Sequence, residues 1–184
     1  MNKIIIINGY CATGKSTFSQ KLSKMLNIPC FNKDTLKEVM GDGLGSDNNI
    51  VFQKGSIATF KIMLYIAEHF LNVGQICILE SNFKAFEIEQ VKTLLNKYNS
   101  KCLTFLFKGD FDILYNRYKN RDNKGERHWV HQTAEETKES FENGHKKNGV
   151  GETGVDKIIN IDATYFEKIN YDELISITKD YIKK

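Results

Sequence analysis

The stretch that decides the fold is IIIINGYCATGKST, residues 4–17. Four consecutive isoleucines are typical of a strand that is buried on both faces, as the strands of parallel sheets are. The residues from Gly9 to Ser16 match the pattern G-x-x-x-x-G-K-[ST], and apolar residues recur at helical spacing from Phe18 onward. A strand, a glycine-containing loop and a helix in this order predict a loop that binds phosphate groups.

The chemistry of this loop follows from its residue types. Glycines let the backbone turn back and point its N–H groups inward, at the positive end of a helix. We expect Lys15 to neutralise the β- and γ-phosphates of a nucleoside triphosphate, and the Ser16 hydroxyl to complete a magnesium shell. The residues predicted to bind the nucleotide in this loop are Gly9, Tyr10, Cys11, Ala12, Thr13, Gly14, Lys15, Ser16 and Thr17.

Length and composition limit the class of protein. At 184 residues, with 41% hydrophobic and 27% charged residues, the chain resembles one ordinary globular domain. The net charge of +3 is too mild for a committed nucleic-acid binder. Its four cysteines have no C-x-x-C pair and no zinc-like spacing, and no signal peptide precedes the first strand. We therefore expect a reduced, cytoplasmic protein.

Apolar runs rich in β-branched residues alternate with segments of helical period along the rest of the chain. The predicted strands are residues 4–7, 29–32, 76–79, 102–107 and 157–161. The predicted helices are residues 18–26, 35–40, 57–71, 88–98, 113–118, 135–143 and 171–182. This alternation predicts a parallel sheet with helices on both faces, which binds ligands at the carboxyl ends of its strands.

Two polar segments are expected to lie outside these elements. Residues 41–49 contain three glycines and several acidic or amide side chains, which predicts a loop. Residues 120–131 are charged and form the main part of a predicted lid at about 120–134. In this lid we expect His128 and His131 to face solvent, whereas Trp129 either attaches the lid to the body or stacks on a ring.

A P-loop by itself does not distinguish switches, motors and kinases. A GTPase carries N-K-x-D late in the chain, but here the one comparable stretch, Asn32-Lys33-Asp34, has the wrong order and position. An oligomeric motor needs helical subdomains for which the chain has no length. Three further features favour a kinase.

The first feature is Asp34, which follows the second predicted strand. A carboxylate at that place can accept the proton of an acceptor hydroxyl that lies in line with the γ-phosphate. The alternative is that Asp34 is only the N-cap of the helix that follows, and one residue can have both roles.

The second feature is Glu80, at the end of the apolar run Ile76-Cys-Ile-Leu. An acidic residue there suits a magnesium shell, which it reaches through a water molecule. The alternative is an ordinary glutamate at the end of a strand.

The third feature is a set of arginines around the predicted lid: Arg117, Arg121 and Arg127. Arginines on a lid close over phosphates and stabilise charge on the transferred group. Because Arg117 and Arg121 are four residues apart, we expect them to share a helix face and to reach one ligand. The alternative is a solvated basic helix end.

Together these stretches resemble a known family. The P-loop, Asn32-Lys33-Asp34, Glu80-Ser-Asn82-Phe83 and the residues from Arg117 to His128 are similar to the small AAA-type ATP-binding proteins with predicted kinase activity. That group is similar to shikimate and gluconate kinases, chloramphenicol phosphotransferase, zeta toxins and the kinase domain of polynucleotide kinases. The resemblance covers residue 3 to about residue 165.

The resemblance implies a fold and a set of roles. It implies an α/β/α P-loop NTPase fold with a five-stranded parallel sheet in the order 2-3-1-4-5, ATP with Mg²⁺, and a lid arginine that takes part in transfer. It also implies an acceptor pocket between the helix at Asp34 and the helix at 57–71, and adenine near Asp162-Ala-Thr164. Relatives often carry arginine where this chain has Lys84, and Pro-Gly where it has Trp129-Val130.

We therefore predict an ATP-dependent phosphotransferase in which residues 1–184 form one P-loop kinase-like domain with a small hydroxylated acceptor. Its catalytic residues are expected to be Lys15, Asp34, Arg121 and Arg127, its magnesium residues Ser16 and Glu80, and Arg117 an additional nucleotide-binding residue. Two alternatives stay open, a 5′-hydroxyl polynucleotide kinase and a nucleotide-binding regulatory module with weak ATPase activity. The neutral to acidic segment 41–49 disfavours the polynucleotide kinase, which needs a basic groove with aromatic platforms. No membrane partner is expected.

Overall fold

The core of the computed structural model, which describes residues 2–45, 49–123, 127–131 and 137–183, is a parallel β-sheet. The strands among these residues are β1 (Lys3–Gly9), β2 (Cys30–Asn32), β3 (Cys77–Glu80), β4 (Lys101–Lys108) and β5 (Lys157–Asp162). All their pairings are parallel, and their order across the sheet is β2-β3-β1-β4-β5. The predicted fold and sheet order are confirmed.

Helices cover both faces of this sheet. They are α1 (Lys15–Leu26), α2 (Lys33–Leu44), α3 (Asn49–Asn72), α4 (Ala85–Lys97), α5 (Phe111–Asn123), α6 (Lys138–Lys147) and α7 (Tyr171–Lys183), with 3-10 helices at Trp129–His131 and Phe166–Lys168. Within the part of the chain that the structure describes, no helix is both long and apolar enough to cross a membrane.

The four isoleucines of β1 explain why the strand is apolar throughout. Ile4 and Ile6 point to one face, where they belong to a core formed with α3 and α4. Ile5 and Ile7 point to the other face and pack with α1 and α7. Because side chains alternate along a strand, a strand between two helical layers has no polar side.

The strand register brings the predicted site residues to one edge of the sheet. Glu80 at the end of β3 is paired with Ile7 of β1 and with Asn32 of β2. The P-loop begins immediately after β1, and Asp34 lies in the first turn of α2 just after β2. The carboxyl ends of three neighbouring strands therefore supply the loop, the buried acid and the exposed acid.

Two predicted boundaries around α2 are wrong. Asn32, and not Asp34, is the N-cap of this helix, because its side chain accepts a hydrogen bond from Thr35 N–H (2.8 Å). Residues 41–44 continue α2 instead of opening a loop. Gly41 is buried in the helix, where a Cβ would lie 2.3 Å from Val130 Cγ1. Glycine at this position therefore allows close packing against Val130 and does not mark a turn.

The boundaries of the predicted lid also differ from expectation. Residues 120–123 continue α5, and the helix predicted at 135–143 runs instead over Lys138–Lys147. Residues 124–126 and 132–134 of the predicted lid, 135–136 of the predicted helix and 46–48 of the predicted loop lie outside the described residues. The polar composition of 120–123 misled the prediction, since a helix whose face is solvated needs no apolar stripe at its end.

Candidate functional site

The backbone of the P-loop depends on glycine at both of its ends. Gly9 has φ +140°, and a Cβ at this residue would lie 1.9 Å from the carbonyl oxygen of Phe107 on β4. Gly14, the N-cap of α1, has φ +79° in the left-handed region. Side chains would clash at the first position and strain the second. The two glycines of the motif thus allow β1 to turn directly into α1.

Lys15 is folded back into the P-loop. Its side chain is buried, and its Nζ donates to the carbonyl oxygen of Tyr10 (2.5 Å) and to Thr13 Oγ1 (3.4 Å). Burial lowers the pKa of Lys15, and the nearby Glu80 carboxylate raises it. Among the described residues no carboxylate forms an ion pair with this ammonium group. A phosphate in the loop would therefore gain a desolvated positive charge as its partner.

Ser16 and Glu80 meet beside the loop. The Ser16 hydroxyl donates to Glu80 Oε2 (3.1 Å), and the Asn32 side-chain amide donates to the same oxygen. Glu80 is 3% exposed, and burial raises its pKa to about 7, although Lys15 and the Ser16 hydrogen bond act in the opposite direction. A hydroxyl and a carboxylate are oxygen donors of the kind that Mg²⁺ prefers, so the pair fits the predicted magnesium site.

Asp34 is exposed at the start of α2 and lines a cavity of about 580 Å³, called the main cavity below. Its charge raises the pKa of both Lys15 and Glu80, which places it beside the P-loop. Since the capping hydrogen bond belongs to Asn32, the interpretation of Asp34 as a helix cap is wrong. The carboxylate is positioned between the phosphate-binding residues and the cavity.

The three arginines have different partners. Arg117 donates to the carbonyl oxygens of Ala163 (2.8 Å) and Thr164 (2.6 Å), and its guanidinium lies 3.8 Å from the ring centroid of Phe166. Arg117 thus binds the segment after β5. The expectation that it reaches one ligand together with Arg121 does not match this arrangement, because its guanidinium is already docked on two carbonyl groups.

Arg121 and Arg127 lie instead around Tyr118. The guanidinium of Arg121 is 6.0 Å from the Tyr118 ring centroid, and Arg127 donates to the Tyr118 hydroxyl (2.8 Å). Both arginines influence the pKa of Cys11 in the P-loop, and Arg121 also lowers the pKa of Lys15. Two of the three predicted arginines are therefore close enough to act electrostatically on the phosphate site.

The main cavity has a volume of about 580 Å³. Its walls come from α2, α3, the start of α4, α6 and Arg127. The cavity lies between α2 and α3, where the acceptor pocket was expected, and α6 is a wall that the sequence did not predict. The lining residues include Cys11, Lys33, Asp34, Lys37, Ser56, Thr59, Asn82, Lys84, Arg127, His131, Phe141 and His145.

Residues 127–131 are docked onto α2. Trp129 and Val130 cover Gly41, which has no side chain to keep them away. Lys37 Nζ donates to the carbonyl oxygen of Val130 (2.9 Å). Of the two predicted roles of Trp129, this packing favours attachment of the lid to the body.

Two contacts between histidine rings and carboxylates add to the same attachment, and burial lowers the pKa of His131. His131 Nε2 lies 3.0 Å from Glu38 Oε1, and His128 Nε2 lies 2.9 Å from Asp42 Oδ1. Both histidines are half-buried, so the expectation that they face solvent is wrong. Glu38 and Asp42 are four residues apart on α2, and this spacing presents both carboxylates to one segment.

His145 is a residue that the sequence interpretation missed. Its Nε2 accepts a hydrogen bond from the backbone N–H of Cys11 (3.0 Å), and its Nδ1 lies 2.6 Å from the carbonyl oxygen of Phe141. A carbonyl can only accept, so Nδ1 carries the proton and the imidazole is neutral. His145 thus joins α6 to the P-loop. Its sequence context, Gly144-His-Lys, contains no motif that indicates this role.

A second cavity of about 560 Å³ lies on the other side of the P-loop. Its walls include the rings of Tyr10 and Phe111, which stack at 4.7 Å, and Thr164 from the segment after β5. The predicted adenine region around Asp162 belongs to this cavity, which offers aromatic and backbone surfaces next to the phosphate loop.

Comparisons with known proteins agree with this geometry. No curated protein matches the sequence. The structure is similar to that of a "putative kinase" from Chloroflexus aurantiacus, with 26% identity, a TM-score of 0.81 and 97% of each chain covered. Two more distant structures share the fold. Shikimate kinase from Bacteroides thetaiotaomicron has 14% identity, a TM-score of 0.62 and 98% of each chain covered. A gluconokinase from Sinorhizobium meliloti has 11% identity and a TM-score of 0.57, with 95% of this chain and 87% of that chain covered.

The family comparison covers the P-loop, Asp34, Glu80 and the arginines together. The sequence profile of a protein family described as "AAA domain" matches residues 5–142, from β1 into α6. Since this range is well over half of the chain, the protein belongs to the AAA domain family and has its kinase-like P-loop fold.

Proposed function

We propose that the protein is an ATP-dependent phosphotransferase that moves the γ-phosphate of ATP to a hydroxyl group of a small molecule. The observation that carries the proposal is the position of Asp34. Its carboxylate is exposed to a cavity of about 580 Å³ and acts on the charge of the P-loop lysine and the buried glutamate. A carboxylate between a phosphate loop and an acceptor-sized cavity suits phosphoryl transfer.

In this proposal the P-loop binds the triphosphate of ATP. Lys15 leaves the Tyr10 carbonyl for the β- and γ-phosphates, and Ser16 and Glu80 would hold Mg²⁺. When bound, the ion offsets the charge of the phosphate oxygens. The nucleoside lies toward the segment that Arg117 binds, at the second cavity.

The transfer step uses the acceptor side of the cavity. Asp34 takes the proton of the acceptor hydroxyl while that oxygen forms a bond to the γ-phosphorus. The bond between the γ-phosphorus and the bridging oxygen breaks, and ADP leaves with the electron pair. Arg121 and Arg127 stabilise the charge that spreads over the transferred group. General-base catalysis of this type contributes about 10²–10⁴ to a rate.

Two alternatives have less support. A polynucleotide kinase needs an extended basic groove with stacking rings, whereas α6 and residues 127–131 wall this cavity. A purely regulatory module needs no base at the acceptor side, and the presence of Asp34 beside Lys15 and Glu80 therefore favours an enzyme.

Free thiols at all four cysteines agree with a cytoplasmic protein. We also infer that the chain forms one domain, since its sheet spans residues 3–162.

The test is ATP consumption by the parent and by Asp34→Asn with sugars, antibiotics, nucleosides and oligonucleotides as acceptors. We expect Asp34→Asn to keep its ATP affinity and melting temperature but to lose about 10²–10⁴ of the transfer rate. Glu89→Gln, an exposed acid of α4, is the control for the loss of one negative charge. If Asp34→Asn transfers at the parent's rate, the base must be sought elsewhere. If oligonucleotides are the accepted class, the small-molecule proposal is wrong.

A further inference from the structure

We propose that the acceptor carries an anionic group, a carboxylate or a phosphate, which Lys37 and Lys84 bind in the main cavity. This inference rests on the proposed function and specifies its substrate class. It is based on three lysines that line one cavity and differ in how their charges are balanced: Lys33, Lys37 and Lys84.

Lys33 already has a partner. Its Nζ lies 2.6 Å from Glu87 Oε1, and the two side chains are only 8% and 2% exposed. A buried pair of this kind is neutral as a unit and is costly to separate. Lys33 is therefore a structural link between α2 and α4, and its charge is not available to a ligand.

Lys37 is four residues further along α2 and has no such partner. Its Nζ donates to the carbonyl oxygen of Val130, and no carboxylate among the described residues lies within ion-pair distance. Burial lowers the pKa of Lys37, while the charge of Asp34 raises it. Two ammonium protons are left for a ligand, and a half-buried cation gains more from an anion than an exposed one does.

Lys84 lies on the other side of the buried pair. Its backbone N–H donates to Glu87 Oε2 (3.0 Å), while Lys33 binds the other oxygen of the same carboxylate. The Lys84 side chain is half-buried, lines the cavity and has no ion pair within the described part of the chain. Lys37 and Lys84 therefore lie on either side of Lys33, whose charge Glu87 balances. Neither Lys37 nor Lys84 forms an ion pair with a carboxylate among the described residues.

The position of Asp34 separates the acceptor from ATP. Its charge raises the pKa of both Lys15 in the P-loop and Lys37 in the cavity, so it lies near both ammonium groups. A hydroxyl at Asp34 can thus face the γ-phosphate while the rest of the acceptor extends toward Lys37. Residues three apart on a helix have Cβ atoms about 5–6 Å from one another. The acceptor class is therefore a hydroxylated acid or a phosphorylated polyol whose anion lies several bonds from the reacting hydroxyl.

The first experiment compares acceptors that differ by one anionic group. The matched pairs are gluconate with glucitol, glycerate with glycerol, and glycerol 3-phosphate with glycerol. For the parent we expect kcat/KM to be at least tenfold higher for the anionic member of the accepted pair. Lys37→Gln and Lys84→Gln should each reduce this preference with the KM for ATP unchanged within twofold, while Lys37→Arg and Lys84→Arg should retain it. A comparison of the pairs that contain a carboxylate with the pair that contains a phosphate shows which of the two anionic groups the site prefers.

The second experiment requires no turnover. The P-loop is filled with Mg²⁺ and a non-hydrolysable ATP analogue, and sulfate is titrated by calorimetry into the parent and into the Lys37→Gln/Lys84→Gln double variant. We expect sulfate to bind the parent at least tenfold more tightly. Lys92→Gln, an exposed lysine of α4 paired with Glu89, is the control and should match the parent. The two arginine variants keep the charge and should bind sulfate if the glutamine variants fold poorly.

The outcomes separate this inference from the proposed function. Equal sulfate affinity in the parent and in the double variant overturns the anion site, as does transfer confined to neutral acceptors. The second result still leaves the protein a phosphotransferase. Sulfate binding that depends on the two lysines, combined with no transfer to any acceptor class, supports the anion site and overturns the proposed function.

Discussion

The P-loop and the contact between residues 127–131 and α2 are assembled in opposite ways. The P-loop is formed by nine consecutive residues, and Lys15 finds its partners in Tyr10 and Thr13 of the same loop. The contact on α2 joins residues far apart in the chain, with separations of 86 for the His128–Asp42 pair and 93 for the His131–Glu38 pair.

This difference separates two kinds of information. A local motif can be recognised in the sequence because the spacing of its residues determines which atoms come into contact. A long-range contact depends on where the rest of the fold places its two segments. Neither segment contains a sequence motif that predicts the contact. The P-loop therefore predicts that a nucleotide binds, whereas the contact on α2 shapes the cavity in which we propose that the acceptor binds.

The largest expected effect concerns the P-loop. Lys15→Ala should lower the transfer rate by about 10²-fold or more, since it removes the charge that offsets the phosphates. The fold should survive, because Lys15 makes hydrogen bonds only within the loop. Transfer rate and melting temperature measure the two effects. Lys21→Ala, in the same helix but exposed, is the control. A normal rate in Lys15→Ala would remove the P-loop lysine from the mechanism.

The next effect is a pH dependence at Glu80. Its folded pKa of about 7 exceeds the ordinary value of 4.5, so the folded protein binds a proton that the unfolded chain has released. Stability of the nucleotide-free protein should thus fall as the pH rises from about 4.5 to about 7. Relative to Glu80→Gln, which cannot ionise, the parent should lose of the order of 2 kcal/mol across this window.

Unfolding of both proteins in denaturant from pH 5 to pH 8 measures this difference. Mg²⁺ with ADP should remove much of the loss in the parent, because a cation stabilises the ionised carboxylate. A difference between parent and Glu80→Gln that stays constant with pH would contradict an elevated pKa.

Gly41→Ala tests the contact on α2. The new Cβ would lie 2.3 Å from Val130 Cγ1 and 3.0 Å from Trp129 Cζ2, so residues 127–131 must move. Overpacking of this kind costs about 1–3 kcal/mol, which opposes the gain of up to about 1 kcal/mol from replacing glycine in a helix. Hydrogen exchange at residues 127–131 should increase with unchanged ATP affinity.

Gly43→Ala is the matched control for this change. It lies in the same helix and a Cβ there meets nothing within 4 Å. It should stabilise α2 and leave hydrogen exchange at 127–131 as in the parent. If Gly41→Ala behaves like Gly43→Ala, the packing of Trp129 and Val130 does not hold this segment.

The smallest expected effect concerns His145, which joins α6 to the P-loop. His145→Phe leaves the Cys11 N–H without its acceptor, which costs about 1–3 kcal/mol for a buried donor. ATP affinity should fall by about tenfold, since 1.4 kcal/mol corresponds to that factor. His145→Gln, which retains an acceptor, should lose less. Nucleotide titration of both variants measures the effect, and equal affinities would show that the hydrogen bond does not support the loop.

Two of the corrections found in the structure share one origin. Asn32 rather than Asp34 caps α2, and Gly41 continues a helix instead of opening a loop. Both errors came from assigning a residue its most frequent local role. Asn and Asp are almost equal as caps, and glycine is found in turns as well as in close helix contacts.

The amino-acid sequence was sufficient to predict the alternation of strands and helices, the buried character of β1 and the P-loop with Lys15 and Ser16. These features depend on periodicity and on spacing within a few residues. Three further features became visible in the folded structure: Arg117 binds the segment after β5, His145 supports the P-loop, and Lys37 has no carboxylate partner among the described residues, unlike Lys33. The reason is that a side chain's partners are set by the elements packed around it, and these come from distant parts of the chain.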